Sequence, residues 1–449
     1  MADAMFGAGA DELGLCTDLY ELTMAQAYWW RGMDEPATFS LFFRTLPRNR
    51  NFMLACGQVH AARVAPELRF PRDQLHALAD TGLFREAFLR TIEAFRFSGS
   101  IRAMPEGTPV FPQEPVLEVD APILEAQVLE SLMMNLVHLE TLLASKAVRF
   151  VLAAGDRPVL DFGMRRMHGV DAAVRGVRAY HAAGLAGTSN VLGATRHGLP
   201  ARGTMAHSFV QASADELEAF RTYARLYPGT VLLVDTYDTL TAVDRVIGLV
   251  RDEGLQVGAI RIDSGELCEL ARACRSRLDA AGLHAVQIVV SGGLDEWAVR
   301  DLLAAGAPVD GFGVGTEMGA SSDAPTIDFA YKLTEYAGTP RFKHAPGKAI
   351  VPGPKQVWRH ADSLGMYQRD SIALRHEADE GGTPLLEPVV TAGACEGPPP
   401  EPDAARERAR QGIARLPAPL RVIDPARQPY PVDFTPAAEA LQRQTLGTT

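Results

Sequence analysis

The sequence predicts an α/β protein whose central part folds as a β/α barrel. Between residues 158 and about 318, short apolar segments alternate with amphipathic segments of about ten to fifteen residues, which is the pattern of parallel βαβ units. At least six such units occur, and this number favours a barrel over an open sheet. A chain of 449 residues is also long enough for two or three domains and a large core.

The region before the barrel, residues 1 to about 130, mixes helical and extended patterns. A helix is predicted for DLYELTMAQAYWW and a strand for ATFSLFFRTL. Short strands interrupted by proline are predicted for GTPVFPQEPVLEVDAP, because proline cannot donate to a β-ladder. One long apolar helix, EAQVLESLMMNLVHLETLLASKAVRFVLAAG, then leads into the barrel.

Six strands are predicted within the barrel itself: PVLDFG, ARGTMAHS, TVLLVDT, VGAIRIDS, AVQIVVSGG and VDGFGVGT. Amphipathic helices such as VDAAVRGVRAYHAAG, ADELEAFRTYARLYP and DEWAVRDLLAAGA lie between most of them. A shorter unit around LAGTSNVLGATRHG brings the count to seven. After residue 330 the alternation loosens, and the proline-rich, charged ACEGPPPEPDAARERARQ predicts a flexible surface loop or tail.

The predicted strands end in polar residues or glycine. The carboxyl ends of barrel strands meet on one face, where catalytic groups collect, although any one of these residues could simply cap a loop. The strand-end residues are Asp161, His207, Asp235, Asp263, Ser291, Gly292, Gly293, Gly313 and Gly315.

Two glycine-rich loops, VVSGGLDE and GFGVGTE, follow the last two strands. Loops at these positions in β/α barrels often bind phosphate through backbone N–H groups, and glycine permits the close approach. A pair of tight turns is the alternative interpretation. Neither loop has the Walker A pattern, which disfavours a P-loop nucleotide site.

Charged side chains at two neighbouring strand ends suggest a polar ligand. VDTYDT supplies Asp235 and Asp238, and IRIDSG supplies Arg261 and Asp263, which point the same way because they are two residues apart on a strand. Carboxylates can accept hydrogen bonds from sugar hydroxyls or hold Mg²⁺ beside a diphosphate. The alternative is a structural ion pair that seals the mouth of the barrel.

DFGMRRMHG and GTMAHSFV add an aromatic ring, two arginines and a histidine. Phe162 could stack on a flat ring, and Arg165 and Arg166 could bind carboxylate or phosphate; the alternative is a core phenylalanine with surface arginines. His207 follows an apolar segment that predicts a buried strand. It could be a hydrogen-bonded structural residue, but acid–base or nucleophilic chemistry also suits an imidazole there.

Composition excludes several classes of protein. The net charge is −11 and no basic face is evident, so a nucleic-acid partner is not expected. Five cysteines without Cys-x-x-Cys spacing argue against a disulfide framework or a zinc site. With no secretory signal and no apolar run of membrane-spanning length, we expect a soluble cytoplasmic enzyme with no membrane partner.

Taken in order, these motifs resemble the nicotinate phosphoribosyltransferase family. The likeness extends from TDLYELTMAQAYW through DFGMRR, GTSNVL, GTMAHSFV, IRIDSG and GFGVGTE to AYKLTEYAGTPRFKHAPGKAIVPGPKQVWR. It implies an irregular, TIM-like β/α barrel with a second α+β domain formed from the N-terminal region and later segments. The domains expected are 1–130 (N-terminal α+β), 131–335 (catalytic barrel) and 336–449, which packs on the N-terminal domain.

The resemblance also implies an activity. Members of the family join nicotinate to 5-phosphoribosyl-1-diphosphate, giving nicotinate mononucleotide and diphosphate for NAD biosynthesis, and are classed as ligases with pentosyltransferase chemistry. ATP is a co-substrate that phosphorylates the histidine of the GT-x-AHS motif, which is His207 here. Mg²⁺ is the expected cofactor, held mainly by the substrate diphosphate. A homodimer with shared active sites is implied, in which Tyr20 enters the neighbouring subunit's site.

The family's remaining site roles carry over onto residues already singled out. Tyr20 and Phe162 would stack on the pyridine ring. Asp263 would contact the ribose, and Asp235 the ribose or Mg²⁺. The substrate carboxylate and diphosphate would be surrounded by Arg165, Arg261, Thr188 and Ser189, with Ser208 also binding substrate. The 5-phosphate would be bound by Gly292, Gly293, Gly313 and Gly315.

Four alternatives to nicotinate transfer can be compared. A quinolinate enzyme would be expected to need a denser basic pocket, and a nicotinamide enzyme an acidic partner near the amide, which Ser189 does not supply. A noncatalytic phosphosugar-binding barrel would have no reason to keep His207, Arg261 and Asp263 together. A barrel aldolase needs a strand-end lysine, and none of the predicted strands ends in one.

Overall fold

The computed structural model of the chain describes residues 10–343 and 350–447. The last predicted motif of the sequence runs through residues 344–349, and that part of it lies outside the described residues. The α-helices are α1 Leu19–Trp30, α2 Gln58–Val64, α3 Arg72–Asp80, α4 Glu86–Glu93, α5 Ile123–Gln127, α6 Glu130–Ala154, α7 Val170–Ala183, α8 Val191–His197, α9 His207–Ala212, α10 Glu216–Leu226, α11 Thr239–Glu253, α12 Leu267–Ala280, α13 Glu296–Ala304, α14 Thr316–Gly319, α15 Pro402–Arg415 and α16 Pro436–Gly447.

Short 3₁₀ helices occur at Ala10–Leu15, Ala65–Glu67, Met164–Arg166 and Ala418–Leu420. The strands are β1 Pro36–Phe43, β2 Met53–Leu54, β3 Ser100–Ala103, β4 Pro109–Val110, β5 Leu117–Pro122, β6 Val159–Asp161, β7 Gly187–Thr188, β8 Thr230–Leu233, β9 Val257–Ile262, β10 Gln287–Val290, β11 Gly311–Val314, β12 Phe329–Tyr336, β13 Thr339–Pro340, β14 Lys355–Ala361, β15 Tyr367–Leu374, β16 Thr383–Pro384, β17 Glu387–Thr391, β18 Ala394–Cys395 and β19 Val432–Phe434. No described helix is both long and apolar enough to cross a membrane.

The chain divides into two compact units, each of which is described by itself. Unit 1 consists of the residues up to 145 together with those from 324 onward, and unit 2 of residues 146–323. Unit 2 is therefore shorter at both ends than the predicted catalytic domain, 131–335. The first boundary falls inside α6, which is continuous from Glu130 to Ala154. The helical pattern of the sequence is therefore unbroken at this boundary, so the division could not be located from the sequence.

Unit 1 is built around an antiparallel sheet that combines distant parts of the chain. Its seven strands have the order β13-β12-β1-β5-β3-β17-β18. The predicted strand ATFSLFFRTL becomes β1, which pairs with β12 on one side and β5 on the other, and seven of its eight residues are buried. A four-stranded sheet, β16-β14-β15-β19, comes entirely from the C-terminal part. The segment after residue 336 thus completes the same unit as the N-terminal region.

Part of the predicted proline-rich loop is instead a helix, α15. The prediction of a surface loop is wrong for residues 402–411, which belong to this helix. Pro402 occupies the first turn, where its missing N–H is not needed, and the alanine- and arginine-rich sequence that follows favours helix. A face of small residues, Ala405, Ala409 and Gly412, is buried, and Arg408 donates to the Glu106 carbonyl at 2.6 Å.

Unit 1 also buries two carboxyl groups side by side. Arg359 on β14 donates to Oδ2 of Asp370 on β15 at 2.5 Å, and the Tyr430 hydroxyl donates to Oδ1 at 3.0 Å. The fully buried Glu114 faces the same Asp370 and accepts the Phe111 N–H at 2.9 Å. Burial raises the pKa of Glu114 well above its ordinary value, the Asp370 charge raises it further, and Arg359 opposes the shift.

The raised pKa of Glu114 predicts a pH-dependent stability. The folded chain holds this proton more tightly than the unfolded chain, so its stabilising effect is complete in acid and is lost as pH rises above the ordinary carboxyl range. Glu114→Gln should keep the uncharged shape and remove that loss. We expect the variant to become more stable than wild type at alkaline pH by roughly 1–3 kcal/mol, measured by urea unfolding between about pH 5 and pH 9.

Glu118 is a matched control of opposite sign. It is equally buried but pairs with Lys355 and Arg375, which lower its pKa against the effect of burial. Glu118→Gln should therefore cost stability at neutral pH, and the difference from wild type should shrink on acidification. If Glu114→Gln followed the same pH dependence as Glu118→Gln, the protonated state of Glu114 would be refuted.

Unit 2 contains a parallel sheet with helices in its crossovers. Its six strands have the order β7-β6-β11-β10-β9-β8, and every neighbouring pair is parallel. Five of the six predicted strands are confirmed as β6, β8, β9, β10 and β11, and the predicted seventh unit is confirmed as β7 and α8. Aspartate caps begin several of the helices; in α13 the Asp295 side chain accepts the Ala298 N–H at 2.7 Å.

The sixth predicted strand, ARGTMAHS, is not a strand. Ala201 makes one isolated parallel bridge to Thr188 on β7, and the Thr204 hydroxyl donates to the Val231 carbonyl on β8 at 2.7 Å. The segment therefore contacts both edge strands of a curled sheet without forming a continuous ladder with either. Its extended backbone resembles a strand in sequence, but at its end His207 is the first residue of α9.

Candidate active site

The carboxyl ends of the parallel strands in unit 2 gather most of the predicted site residues. The pairing of the last strand residues shows that these ends lie at one edge of the sheet. Val290 on β10 pairs with Ile262 on β9 and with Phe312 on β11, and Val314 on β11 pairs with Asp161 on β6. Because all six strands run in the same direction, the loops that follow them emerge on the same side of the sheet. The sequence-based prediction of a shared edge is confirmed.

Asp235 and Asp263 are linked directly at this edge. Oδ2 of Asp235 accepts the backbone N–H of Asp263 at 2.9 Å and the Ser264 hydroxyl at 2.6 Å, and Oδ1 of Asp263 accepts the Ser291 hydroxyl at 2.5 Å. Oδ1 of Asp235 is buried and has no hydrogen-bond partner within the described residues. The pair is thus held by neighbouring loops and keeps one acceptor open.

Arg261 supplies the positive charge beside these carboxylates. One terminal nitrogen donates to the Met205 carbonyl at 3.3 Å, whereas Nε is buried without a hydrogen-bond partner in the part of the chain described. Burial lowers the pKa of the guanidinium, and the charges of Asp263 and Asp235 oppose that shift. An arginine stays charged in any case, so a half-buried cation with a buried, open Nε donor lies at the edge.

Phe162 lies next to Arg261, with the guanidinium carbon 5.8 Å from the ring centroid. The ring is only partly buried, and its backbone N–H donates to the Val314 carbonyl at 2.7 Å. Gly313 explains its position: a Cβ there would lie 2.4 Å from the ring. Gly313 is buried within β11, so its lack of a side chain serves packing against Phe162, while the predicted phosphate contact stays a prediction.

Gly292 and Gly293 form an exposed turn after β10. Both have left-handed backbones, with φ of +90° and +65°, and a Cβ on Gly292 would lie 1.8 Å from the Asp263 carbonyl oxygen. Only glycine fits such a position, since the turn must pass directly over the neighbouring loop. Gly315 follows β11 and precedes the four-residue α14. These loops leave backbone N–H groups near the carboxylate edge.

His207 is half-buried at the start of α9, with Nδ1 3.1 Å from the Thr236 hydroxyl in the loop after β8. The ring is thus tethered through one nitrogen to the loop that also carries Asp235. Ser208 is exposed on the next position of the helix. Asp238, the other carboxylate of VDTYDT, accepts the Thr241 N–H at 2.8 Å and caps α11, so its role is structural.

The loops after β6 and β7 are joined by Asp161, a strand-end residue for which the sequence predicted no specific role. Its Oδ1 accepts the Gly163 N–H at 2.7 Å and its Oδ2 accepts the Thr188 hydroxyl at 2.6 Å. Burial raises its pKa, and these hydrogen bonds oppose that shift. Thr188 is itself buried and its hydroxyl also accepts the Asn190 N–H, whereas Ser189 is exposed. Thr188 therefore shapes the loop from inside.

Arg165 lies in the 3₁₀ helix after Phe162 and is exposed, as is Arg166. Its positive charge acts on Arg261, so both cations belong to one region. Tyr20 belongs to unit 1, on α1, where its side chain is 46% exposed. Burial and the nearby Glu130 raise the pKa of its phenol.

A cationic cavity in unit 1 was missed by sequence reasoning. It measures about 430 Å³ and is lined by Arg44, Lys332, Arg341 and Lys343 together with Phe42, Leu333, Phe342 and Ile350. Four cations beside apolar rings are suited to an anionic ligand with a flat or apolar part. A signal was present in the sequence: Arg341 and Lys343 are two residues apart and follow the hairpin of β12 and β13, whose first strand carries Lys332.

Metal binding by the protein alone is not indicated. The described residues contain no group of three or more histidine, cysteine or acidic side chains placed to hold an ion. The open Oδ1 of Asp235 is nevertheless a suitable hard-oxygen ligand for a cation that arrives with a substrate.

Comparisons with known proteins identify the family of the chain. The nicotinate phosphoribosyltransferase N-terminal domain matches residues 15–138, and the nicotinate phosphoribosyltransferase family matches residues 158–357. The chain is 49% identical over 421 residues to nicotinate phosphoribosyltransferase pncB2 of Mycobacterium tuberculosis, covering 93% of this chain and 90% of the relative. The Bacillus subtilis nicotinate phosphoribosyltransferase is 37% identical over 399 residues, covering 86% and 81%.

Among solved structures, human nicotinic acid phosphoribosyltransferase matches with a TM-score of 0.84 at 27% identity, covering 95% of this chain and 99% of the human one. The two family matches together span more than half of the chain, and the identity to the mycobacterial relative extends over both units. The chain belongs to the nicotinate phosphoribosyltransferase family.

Proposed function

We propose that the chain joins nicotinate to 5-phosphoribosyl-1-diphosphate, forming nicotinate mononucleotide and diphosphate, as a step of NAD salvage. The observation that carries the proposal is the strand-end cluster of Asp235, Asp263, Arg261 and Phe162. It combines two carboxylates, a half-buried cation with an open donor and an aromatic face. The relatives named above carry the name of this activity and support the assignment.

The pyridine ring would stack on Phe162, with Tyr20 as a second aromatic partner. Arg261 beside Phe162 has an unused Nε donor, which would bind the nicotinate carboxylate or the diphosphate, with Arg165 as a further cation. A charge-assisted hydrogen bond to a carboxylate is stronger than one to a neutral amide. This favours nicotinate over nicotinamide as the substrate.

In the transfer step the lone pair of the pyridine nitrogen forms the new bond to the anomeric carbon. The bond from that carbon to the diphosphate oxygen breaks, and its electron pair leaves with the diphosphate. No proton has to move. Positive charge develops on the ribose in the transition state, and the carboxylates of Asp263 and Asp235 would stabilise it there. Ser291 would hold Asp263 in place.

Mg²⁺, when bound with the diphosphate, would neutralise the leaving group. Asp235 would be its protein contact, because Oδ1 is buried, charged and without a hydrogen-bond partner among the described residues, while Oδ2 is fixed by Asp263 and Ser264. The turn at Gly292 and Gly293, with Gly315, would bind the 5-phosphate through backbone N–H groups.

ATP hydrolysis would be coupled to transfer through phosphorylation of His207. Thr236 lies near Nδ1, so Nε2 is the nitrogen left to accept the phosphoryl group. The terminal phosphoryl would pass from ATP to the imidazole, releasing ADP, and water would later take it as inorganic phosphate. Ser208, exposed next to the ring, would contact the phosphates.

Two structural expectations form part of the proposal. The segment 201–206 contacts both β7 and β8, which supports a sheet closed into an irregular, TIM-like barrel. A homodimer with shared sites would let the exposed Tyr20 of unit 1 reach a neighbouring subunit's site.

Gly313→Ala tests the pyridine subsite. A Cβ would lie 2.4 Å from the Phe162 ring and displace it, so we expect the KM for nicotinate to rise by about tenfold with a smaller change for the phosphoribosyl substrate. Steady-state kinetics with each substrate varied in turn measure both. Gly311→Ala on the same strand is the control, since its Cβ would meet Pro158 at 3.4 Å. A nicotinate KM within about twofold of wild type in Gly313→Ala would refute the stacking role.

The activity itself is tested by mass spectrometry of the products. Purified chain, Mg²⁺ and 5-phosphoribosyl-1-diphosphate would be incubated with nicotinate, nicotinamide or quinolinate, each with and without ATP. We expect nicotinate mononucleotide, formed faster with ATP and accompanied by ADP. Product from another pyridine would change the substrate assignment. The absence of product from all three would refute the activity and favour a phosphosugar-binding role.

A further inference from the structure

Four charged side chains of unit 2 form one hydrogen-bonded group, in which three are buried and Asp323 is partly buried. The Lys146 ammonium donates to Oε2 of Glu296 at 2.6 Å and to Oδ1 of Asp323 at 2.8 Å, and Nε of Arg149 donates to Oε1 of Glu296 at 2.6 Å. Lys146 and Glu296 are 0% exposed. We name these four residues the anchor cluster. Nothing in the proposed reaction uses them directly.

The two carboxylates of the anchor cluster each follow one of the glycine loops in the chain. Glu296 is the first residue of α13 and stands three residues after Gly293. Asp323 stands eight residues after Gly315, beyond the short α14. The two glycine loops therefore each lead into a carboxylate, and both carboxylates bind the same ammonium group.

Buried charges are costly unless they are paired and hydrogen-bonded, so the geometry of such a group is strongly fixed. The anchor cluster contains two cations and two anions and balances its own charge. A charge-neutral group of this kind holds its carboxylates at a set separation. Since α6 is a continuous helix of 25 residues, Lys146 is a rigid point to which both loop exits are fixed.

We propose that Lys146 is a positioning residue for the phosphate end of the substrate site. It sets the separation of the loops carrying Gly292–Gly293 and Gly315, and so the fit of their backbone N–H groups to a sugar phosphate. The inference rests on the proposed function, which gives these loops the 5-phosphate. Lys146 touches no substrate; it acts through Glu296 and Asp323.

Lys146→Met tests the proposal. Methionine is similar in length and apolar, so it removes the charge together with the hydrogen bonds to Glu296 and Asp323 and leaves Glu296 paired with Arg149. We expect the KM for 5-phosphoribosyl-1-diphosphate and the Kd for ribose 5-phosphate, measured calorimetrically, to rise by about tenfold or more. The KM for nicotinate should stay within about twofold, and Lys146→Arg should recover part of the loss.

Lys355→Met is the matched control. Lys355 is another buried lysine paired with a carboxylate, Glu118, but it lies in unit 1. Its loss should change stability without raising the KM for the phosphoribosyl substrate. If Lys146→Met does not fold, Asp323→Asn removes only one of the two carboxylates bound to Lys146 and keeps Lys146 paired with Glu296. We then expect the KM for 5-phosphoribosyl-1-diphosphate to rise by about threefold.

The outcomes separate the two proposals. A wild-type chain that binds ribose 5-phosphate but makes no nicotinate mononucleotide would refute the proposed function, while weaker binding by Lys146→Met would still support the anchor. A folded, active Lys146→Met or Asp323→Asn with unchanged affinity for both phosphosugars would overturn the positioning role. A wild-type chain that does not bind ribose 5-phosphate would overturn it as well.

Discussion

Asp263→Asn should lower kcat for transfer by about 100-fold or more, because the proposed function places this carboxylate beside the positive charge of the transition state. Asparagine keeps the size of the side chain, and its oxygen can still accept the Ser291 hydroxyl that holds Asp263 at 2.5 Å. The backbone N–H that binds Asp235 is also unchanged. The loss would thus report the charge alone. Binding of the substrates in the ground state should change much less than kcat.

Pre-steady-state and steady-state rates of nicotinate mononucleotide formation measure this effect. Asp310→Asn is the matched control, since Asp310 is a carboxylate just before β11, at the opposite end of the strands, where it accepts the Ile288 N–H at 2.8 Å. We expect near wild-type activity from that variant. An Asp263→Asn enzyme with kcat within about fivefold of wild type would refute electrostatic stabilisation by this residue.

Much of unit 2 could be predicted from sequence because its strands are short apolar segments between capped amphipathic helices. Asp215, Asp238 and Asp295 each accept an N–H of the first helical turn, and Gly184 and Gly254 end α7 and α11 in left-handed conformations. Such signals are local. They predict the alternation of strands and helices along the chain. Once the strands form a parallel sheet, their carboxyl ends lie on the same side, so the shared edge follows from that prediction.

The errors arise where tertiary contacts decide the structure. ARGTMAHS has the apolar and small residues of a strand, but only the two edge strands beside it determine that it makes isolated contacts instead of a ladder. The prolines of the predicted loop are typical of irregular structure. Pro402 nevertheless suits the start of a helix, and the small residues of α15 are buried in unit 1. Neither outcome follows from the local sequence alone.

Roles of individual residues were harder still to predict. The Gly313 motif suggested a phosphate loop, whereas its position opposite the Phe162 ring is visible only when β6 and β11 are paired. Lys146 and Glu296 are 150 residues apart, and no spacing rule connects a helix lysine with a glutamate after a glycine turn. The geometry of the site depends on such contacts between residues that are far apart in the chain. The sequence shows each of the two residues but not that they are in contact.

His207→Ala should abolish the stimulation of transfer by ATP while an ATP-independent rate remains. The groups proposed for the transfer step, Asp263, Asp235 and Arg261, make no hydrogen bond to the imidazole; its ring contact is Thr236. Removing the ring therefore removes the phosphoacceptor and leaves the transfer groups in place. The ratio of ADP to nicotinate mononucleotide should fall from near one to near zero.

The decisive measurement is incubation with γ-labelled ATP followed by mild acid. Wild type should carry a label that acid removes, as phosphohistidine does, and His207→Ala should carry none. His284→Ala is the control: this histidine is exposed and bonded to Asp279 before β10, away from the strand ends, so its loss should leave labelling unchanged. A His207→Ala enzyme that is still labelled, or still stimulated by ATP, would assign the coupling to another residue. The transfer chemistry would stand in that case, because it depends on the carboxylate pair and Arg261 and not on the imidazole.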